Sequence, residues 1–346
     1  SDINSRKVII TDNSSEIIKS PKSTLNNLII KSNEYSRLSD SGLNGFITLF
    51  DKYHIKNIYA QNPPNIVLTQ LRDLYGKIDI IEHNYRKFED KDVNKFVENY
   101  DDVILGQNIA KDRILLQIYQ MSKKYNKDKP LVLIFYGPTG VGKTETAKFL
   151  ARILGENLFR KQFSMYQSNE FANYVFGGKH FESSFARDLL ERESNVILFD
   201  EFDKANNLFY SAFYQMFDEG YFEDKNYKVN LKNSIIICTS NFLNVKDIKN
   251  TIGDAIYNRI DSVIEFKTLD YEIVLQLIEL NFNSIYSELT DDDKSKIDKE
   301  DLLSVLVSYS KELSNYRQIR KLVKDFIFKT IISKTFNWCR LEDSNN

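Results

Sequence analysis

The chain has 346 residues, 42% of them apolar and 28% charged, with a net charge of −2 at pH 7. That length and balance suit two or three compact globular units. The near-neutral charge argues against a global basic field for nucleic acid or a membrane surface. Two cysteines, Cys238 and Cys339, are too few for a disulfide framework and fit a reducing, cytoplasmic setting. No stretch approaches a membrane span, and the polar start does not read as a signal peptide.

Residues 1–40 are polar and rich in Ser and Asn, with a β-like run at 7–11 and a pattern that predicts a short helix near 24–32. A helix is predicted over 42–52, with Phe46, Leu49 and Phe50 on one side, and a strand over 55–60. Pro63-Pro64 opens a helix through Tyr75, with Gly76 as its C-cap, and 77–82 reads as a further strand. This piece, residues 1–90, reads as a small α/β domain that selects a client or partner. It carries no Cys/His cluster and no serine-hydrolase elbow, and the lone His54 and His83 read as structural. Residues 85–103 form a charged, mostly helical linker, followed by an amphipathic helix over 109–125.

The next segment carries chemistry. The apolar run LVLIFY at 131–136 has the length of a buried strand. It is followed by Gly137, Pro138, Thr139, Gly140, Val141, Gly142, Lys143 and Thr144, and then by a helix-forming stretch that begins with Glu145. A glycine-rich turn between a strand and a helix lets backbone N–H groups converge on phosphates, and the helix N-terminus adds its positive dipole end. In this G-x-x-x-x-G-K-[ST] pattern Lys143 reaches the β- and γ-phosphates of ATP and the Thr144 hydroxyl ligates Mg²⁺.

A second apolar run, SNVILF at 194–199, ends in Asp200-Glu201. Such a pair could simply open a loop. Downstream of a phosphate loop it reads as the metal-side acid, Asp200, and the base that orients and deprotonates water, Glu201. A third run, SIIICT at 234–239, leads to Asn241, at a strand end where open α/β sheets bind ligands. Arg259, in AIYNRID, is the only arginine between Arg192 and Arg317, and its planar fork suits phosphate. Strands at 131–136, near 159–164, 194–199, 234–239 and 262–266 alternate with helices, which predicts an α/β fold with a parallel sheet covered on both faces. After Leu269 the pattern is helical: 271–287, 299–313 and 315–335, the last with Ser314 as N-cap. The expected division is 1–90, then 91–267 as the large nucleotide-binding part, then 268–346 as a helical lid.

In this order GPTGVGKTETAKFLA, VILFDEFDKA, IIICTSN and YNRID resemble the AAA+ ATPase module of the Clp unfoldases, nearest to the second ATPase ring of the ClpB-type disaggregases. The resemblance covers about residues 96–335. It implies a P-loop NTPase that hydrolyses Mg-ATP, with Lys143 and Thr144 as Walker A, Asp200 and Glu201 as Walker B and Asn241 as sensor 1. Ile104 and Leu105, in VILGQ, stand where the family lines its adenine pocket, and Arg317, in Asn315-Tyr316-Arg317, where it carries sensor 2. Arg259 stands at the arginine finger, which serves a neighbouring subunit's site. A ring or helical homo-oligomer, expected to be a hexamer, follows from that.

The chain also departs from the family. The Gly-Tyr-Val-Gly loop that grips polypeptide in the family's pore is absent; GKHF at 178–181 replaces it, with His180-Phe181 as a substitute or as a shortened, non-gripping loop. The stretch 218–233 keeps the length of the second pore loop, with Tyr221 and Phe222 either facing the pore or serving as cross-strand aromatics of a hairpin. No Ile-Gly-Phe or Ile-Gly-Leu tripeptide occurs, so a peptidase partner is not expected. Three functions are then open: an oligomeric ATPase that remodels or unfolds protein clients, an ATP-dependent assembly switch or signalling scaffold, and a nucleic-acid motor or loader, the last against the charge balance.

Overall fold

The computed structural model describes residues 23–125, 129–165, 170–205 and 210–336. The β-like run at 7–11 and Cys339 lie outside the described residues. The chain divides into two compact units, 1–80 and 81–346.

In the first unit β1 (Ser23–Ile30) and β2 (Tyr53–Ala60) pair in parallel, from Ser23 opposite Tyr53 to Ile30 opposite Ala60. The expected helix near 24–32 is therefore a strand. Leu28 and Ile30 pack inward while Ile29 is exposed, a period of two that the short Leu-Asn-Asn-Leu stretch hides. The expected helix over 42–52 is broken at Gly45 into α1 (Asp40–Asn44), capped by the Ser39 hydroxyl, and a 3-10 turn at Phe46–Phe50. The helix α2 (Asn65–Tyr75) follows Pro64 and stops at Gly76, which has φ +70°. Tyr35, Leu43, Phe46, Val67 and Leu71 fill the core of this unit. No strand forms over 77–82; Ile80 and Ile81 are exposed, with no neighbouring strand to pair them among the described residues.

The second unit opens with α3 (Asp90–Val103) and α4 (Asn108–Ser122). It continues through β3 (Leu131–Tyr136), α5 (Lys143–Ile153), β4 (Phe159–Gln162), α6 (Glu170–Phe176), α7 (Phe185–Leu190) and β5 (Val196–Asp200). After α8 (Tyr214–Glu219) the strands β6 (Tyr221–Glu223) and β7 (Lys228–Asn230) form an antiparallel hairpin. Then come β8 (Ile235–Ser240), α9 (Val245–Tyr257) and β9 (Ser262–Glu265). The central sheet is all parallel, in the order β4-β5-β8-β3-β9. Its middle strands are buried on both faces, as the unbroken apolar runs require. Alternate residues feed two cores. Leu133, Leu198 and Ile237 join α3, α4 and α5 on one face, and Ile134, Phe199 and Cys238 join the helices and hairpin on the other. Burial pushes the Cys238 thiol well above its ordinary pKa, so it serves as an inert core residue.

The second of these cores is unusually aromatic. Phe213 is fully buried, with its ring 5.5–6.4 Å from those of Phe163, Phe185, Phe199, Phe202, Phe217 and Phe222. The second-unit hairpin thereby fixes Phe222 inside the core, which corrects the expectation that it could face a pore; only Tyr221 remains at the surface, flanked by Lys228 and Lys232 at 5.0 Å. Phe213→Ala should destabilise the second unit by about 3–5 kcal/mol, the cost of an aromatic cavity that rigid neighbours cannot fill. The midpoint of urea unfolding should fall accordingly; a shift worth under about 1 kcal/mol would mean that the cluster repacks.

The chain ends in helices: α10 (Tyr271–Glu288), α11 (Asp291–Ser295), α12 (Lys299–Ser308) and α13 (Tyr316–Phe336). They share a core of Val274, Ile278, Phe282, Leu306, Val323 and Ile327. The cap of α13 is Asn315 rather than Ser314. Its Oδ1 accepts from the Gln318 N–H at 3.0 Å and its carbonyl from Ile319.

Candidate functional site

A cleft of about 800 Å³ lies at the C-terminal ends of the central strands, where the phosphate loop, β5, β8, the loop after α3 and the helical segment meet. Parallel strands open toward ligands at this edge because each strand end hands over to a loop there.

The loop from Gly137 to Gly142 has the backbone that its sequence demands. Gly137 has φ +130°, and a Cβ on it would lie 2.0 Å from the Phe266 carbonyl oxygen. Gly140 has φ +74°, and a Cβ there would press on Asn315 at 2.9 Å. Both positions therefore exclude any other residue. The Gly140 carbonyl accepts from the Tyr316 N–H at 2.9 Å, so the start of α13 is bonded to the loop directly. From the other side Gln107 is buried. Its amide donates to the carbonyls of Val141 and Lys267 and its oxygen accepts from the Lys267 N–H. After Gly142 the helix α5 begins, and its first N–H groups have no partner within the helix.

Lys143, Thr144 and Glu145 occupy the first turn of α5 and line the cleft. Lys143 is buried, and its ammonium donates to the Gly137 and Pro138 carbonyls at 2.6 Å and to Asn241 Oδ1 at 3.1 Å. Burial pushes its pKa down to about 8, against the attraction of Asp200 and Asp203 and with a smaller push from Arg317. A polyphosphate would restore the charged form, so binding above pH 8 should take up a proton. Nucleotide affinity should then fall by close to tenfold per pH unit above about pH 8.5. Titration calorimetry at pH 8.5 in two buffers of different ionisation enthalpy checks this; identical enthalpies would place the Lys143 pKa elsewhere.

Across the cleft, β5 ends in Asp200, 8% exposed. Its Oδ1 accepts from the Thr239 hydroxyl at 2.5 Å, and its Oδ2 from Arg160 Nη2 at 2.5 Å and Nε at 3.0 Å. Glu201 has φ +55°, a left-handed conformation that costs a non-glycine residue of order 1 kcal/mol. Its N–H is held by Thr239 Oγ1 at 3.0 Å, and its carboxylate accepts from Gln162 at 3.3 Å. The strained backbone turns the side chain into the cleft. Asn241 follows β8 and lines the same cleft.

The structure thus brings together Thr139, Gly140, Val141, Gly142, Lys143, Thr144, Glu145, Asp200, Glu201 and Asn241 with Ile104 and Leu105 at one end and Arg317 on α13. Glu145 also pairs with Lys148 at 3.3 Å and with Arg152 at 2.5 Å. Among the described residues no group of three or more His, Cys, Asp or Glu side chains could hold a metal by itself. Thr144, Asp200 and Glu201 offer one hydroxyl and two carboxylates, a hard and sparse oxygen set that fits Mg²⁺, which keeps most of its waters and leans on substrate phosphates.

Arg259 does not line this cleft. It donates to Asp218 and to the Ala255 carbonyl, both at 2.6 Å, and its guanidinium lies 4.8 Å from the Tyr214 ring. Asp261, four positions past the end of α9, pairs with Lys129 and the Val132 N–H. Sequence reasoning missed Arg160, Gln162, Thr239 and Arg320, all of which line the cleft. The polar pair Arg160 and Gln162, two apart on a strand and so on one face, was the available signal. In the 178–181 stretch, His180 is buried and Phe181 exposed, with Lys179 5.6 Å from its ring. The hairpin turn is tied to this loop by Lys225 N–H to the Phe176 carbonyl and Asn226 to the Gly178 carbonyl. Among the described residues no helix is long and apolar enough to cross a membrane.

The family model of the AAA domain (Cdc48 subfamily) matches residues 128–306. The chaperone protein ClpB of Malacoplasma penetrans (strain HF-2) is 28% identical over 308 residues, 76% of this chain and 43% of the relative. The chaperone protein ClpB of Chlamydia trachomatis serovar D is 29% identical over 242 residues, 60% of this chain and 28% of the relative. The chain thus spans less than half the length of these curated relatives. Among solved structures, a closed-state reconstruction of Hsp104 with ATPγS and FITC-casein superposes with a TM-score of 0.60 at 17% identity, over 82% of this chain and 53% of that one, which is a likeness of fold. The chain belongs to the AAA domain family, Cdc48 subfamily, and is an AAA+ ATPase with similarity to the ClpB chaperones.

Proposed function

We propose that this chain hydrolyses Mg-ATP as a homo-oligomer and uses the turnover to remodel protein clients. The observation that carries this reading is the convergence of Lys143, Asp200, Glu201 and Asn241 on one cleft at the head of a glycine-rich loop. The curated relatives are chaperones, which supports a protein client.

Each group has a distinct task. The loop N–H groups and the α5 N-terminus receive the phosphate oxygens, and Lys143 turns from the loop carbonyls to the β- and γ-phosphates. Thr144 and Asp200 would hold Mg²⁺, which neutralises charge on the phosphates when bound. Glu201 accepts the proton of the attacking water, and Asn241, already within hydrogen-bond reach of the Lys143 ammonium, orients the water or the γ-phosphate. Ile104 and Leu105 give an apolar wall for the base. Arg317 closes the phosphate end from α13, which the Tyr316–Gly140 hydrogen bond ties to the loop. Arg259 serves the neighbouring copy, so a ring, with a hexamer as the expected size, completes each site.

Exposed Phe181 and half-buried Tyr221 are the aromatic groups that would meet a client chain. Phe181→Ala combined with Tyr221→Ala should leave ATP hydrolysis within about twofold while remodelling of a trapped client per ATP consumed falls by about tenfold, since only apolar client contacts are removed. Unchanged coupling would show that ATP drives an assembly change without gripping polypeptide.

A further inference from the structure

Edge strand β4 brings a guanidinium onto the metal-side acid of the cleft. Arg160 Nε lies 3.0 Å and Nη2 2.5 Å from a single oxygen, Asp200 Oδ2, while Oδ1 is taken by the Thr239 hydroxyl. The two partners differ in freedom. The Asp200 side chain is 11% exposed and pinned from β8, whereas that of Arg160 is 44% exposed and reaches into the open cleft. Its strand neighbour Lys161 points away to Asp188, as the alternation of a strand requires. No motif in the chain marks Arg160.

Both oxygens of Asp200 are thus engaged by protein donors. A divalent cation, or one of its waters, can reach this carboxylate only by sharing or displacing the Oδ2 contact. It must also come close to a positive guanidinium, which repels it. A polyphosphate changes that balance, because its oxygens match the guanidinium fork at least as well as a carboxylate does. We propose that Arg160 is a positioning residue that passes from Asp200 to a phosphate of the bound nucleotide, and so sets how much divalent cation the site needs. In this exchange Arg160 holds Asp200 oriented until the nucleotide draws the guanidinium away, which would leave Oδ2 open to the cation. The proposal rests on the ATP-site reading above.

The test is binding of a fluorescent ATP analogue to the full chain, titrated with Mg²⁺ and repeated in EDTA. Arg160→Gln should lower the half-saturating Mg²⁺ concentration roughly three- to tenfold, the range of a partly exposed ion pair, and should weaken binding in EDTA by a similar factor. A purely structural ion pair predicts the opposite for Mg²⁺, since a displaced Asp200 binds the cation less well. On an Asp200→Asn background the Arg160→Gln change should leave the Mg²⁺ midpoint where it is, with no carboxylate left to compete for. If Arg160→Gln loses thermal stability, Arg160→Lys supplies the same reading: it keeps the charge but not the fork, so the midpoint should shift the same way by less, with EDTA binding partly retained. An unmoved or raised Mg²⁺ midpoint in both variants overturns the role of Arg160 alone. No analogue binding by the unaltered chain overturns the ATP-site reading itself.

Discussion

Glu201→Gln should bind ATP within about twofold of the parent chain and turn it over about 10²–10⁴ times more slowly, the usual worth of a positioned general base. The substitution is close to isosteric. The amide oxygen can still accept from Gln162, and the backbone bond from the Glu201 N–H to Thr239 does not depend on the side chain. What is lost is the ability to take a proton from water. The left-handed backbone at position 201 is kept for the same reason, since nothing in the exchange relieves or worsens it. Phosphate release at saturating ATP gives the rate, and fluorescent nucleotide binding gives the affinity. A parental rate would move the base to another cleft residue, and a large affinity loss would mean that Glu201 shapes the pocket rather than the reaction. The variant that binds without turnover would also hold clients in place, so pull-down from the native host identifies them.

The parts of this site that the sequence exposes are those whose chemistry is local. A phosphate loop must bend through glycines within a few residues, and Gly137 and Gly140 record contacts with Phe266 and Asn315 that tolerate no side chain. The strands β3, β5 and β8 read clearly because burial on both faces leaves nothing polar within them. The segments that misled are those decided by pairing. The stretch STLNNLII carries apolar residues at both helical and strand spacing, and only the parallel partner β2 selects the strand. Residues 77–82 have strand-like composition but gain no partner, so composition alone could not form one. For Phe222 the sequence leaves a pore-facing and a hairpin role open, because its burial comes from Phe185 and Phe213, which lie 37 and 9 positions away in sequence. Arg160 was invisible for a similar reason. Its meaning arises only when β4 pairs beside β5 and carries it to Asp200, 40 positions on.

Arg259→Ala should bind ATP like the parent and hydrolyse it about 10³-fold or more slowly, the range of a transferred arginine in other phosphoryl-transfer sites. The geometry motivates this by what Arg259 does not do. It follows the end of α9, outside the cleft of its own chain, and is held by Asp218, the Ala255 carbonyl and the Tyr214 ring. The ion pair with Asp218 is partly exposed on both sides, and such pairs contribute about 1 kcal/mol or less, so releasing the guanidinium to a neighbour's phosphate is inexpensive. If the neighbour's site needs it, mixing Arg259→Ala with parent chains at constant total protein should lower the rate more than in proportion, because each altered copy disables a site that another copy provides. The specific activity of the parent should likewise rise with protein concentration as copies assemble. Asp218→Ala separates this from a local structural role. It removes the partner that holds Arg259 in the isolated chain while sparing the guanidinium, so it should retain most of the turnover that Arg259→Ala loses. Equal losses in the two variants would show that the Arg259–Asp218 pair acts as a local brace. A parental rate in Arg259→Ala, or a concentration-independent rate from a species that light scattering shows to be monomeric, would mean that each chain completes its own site.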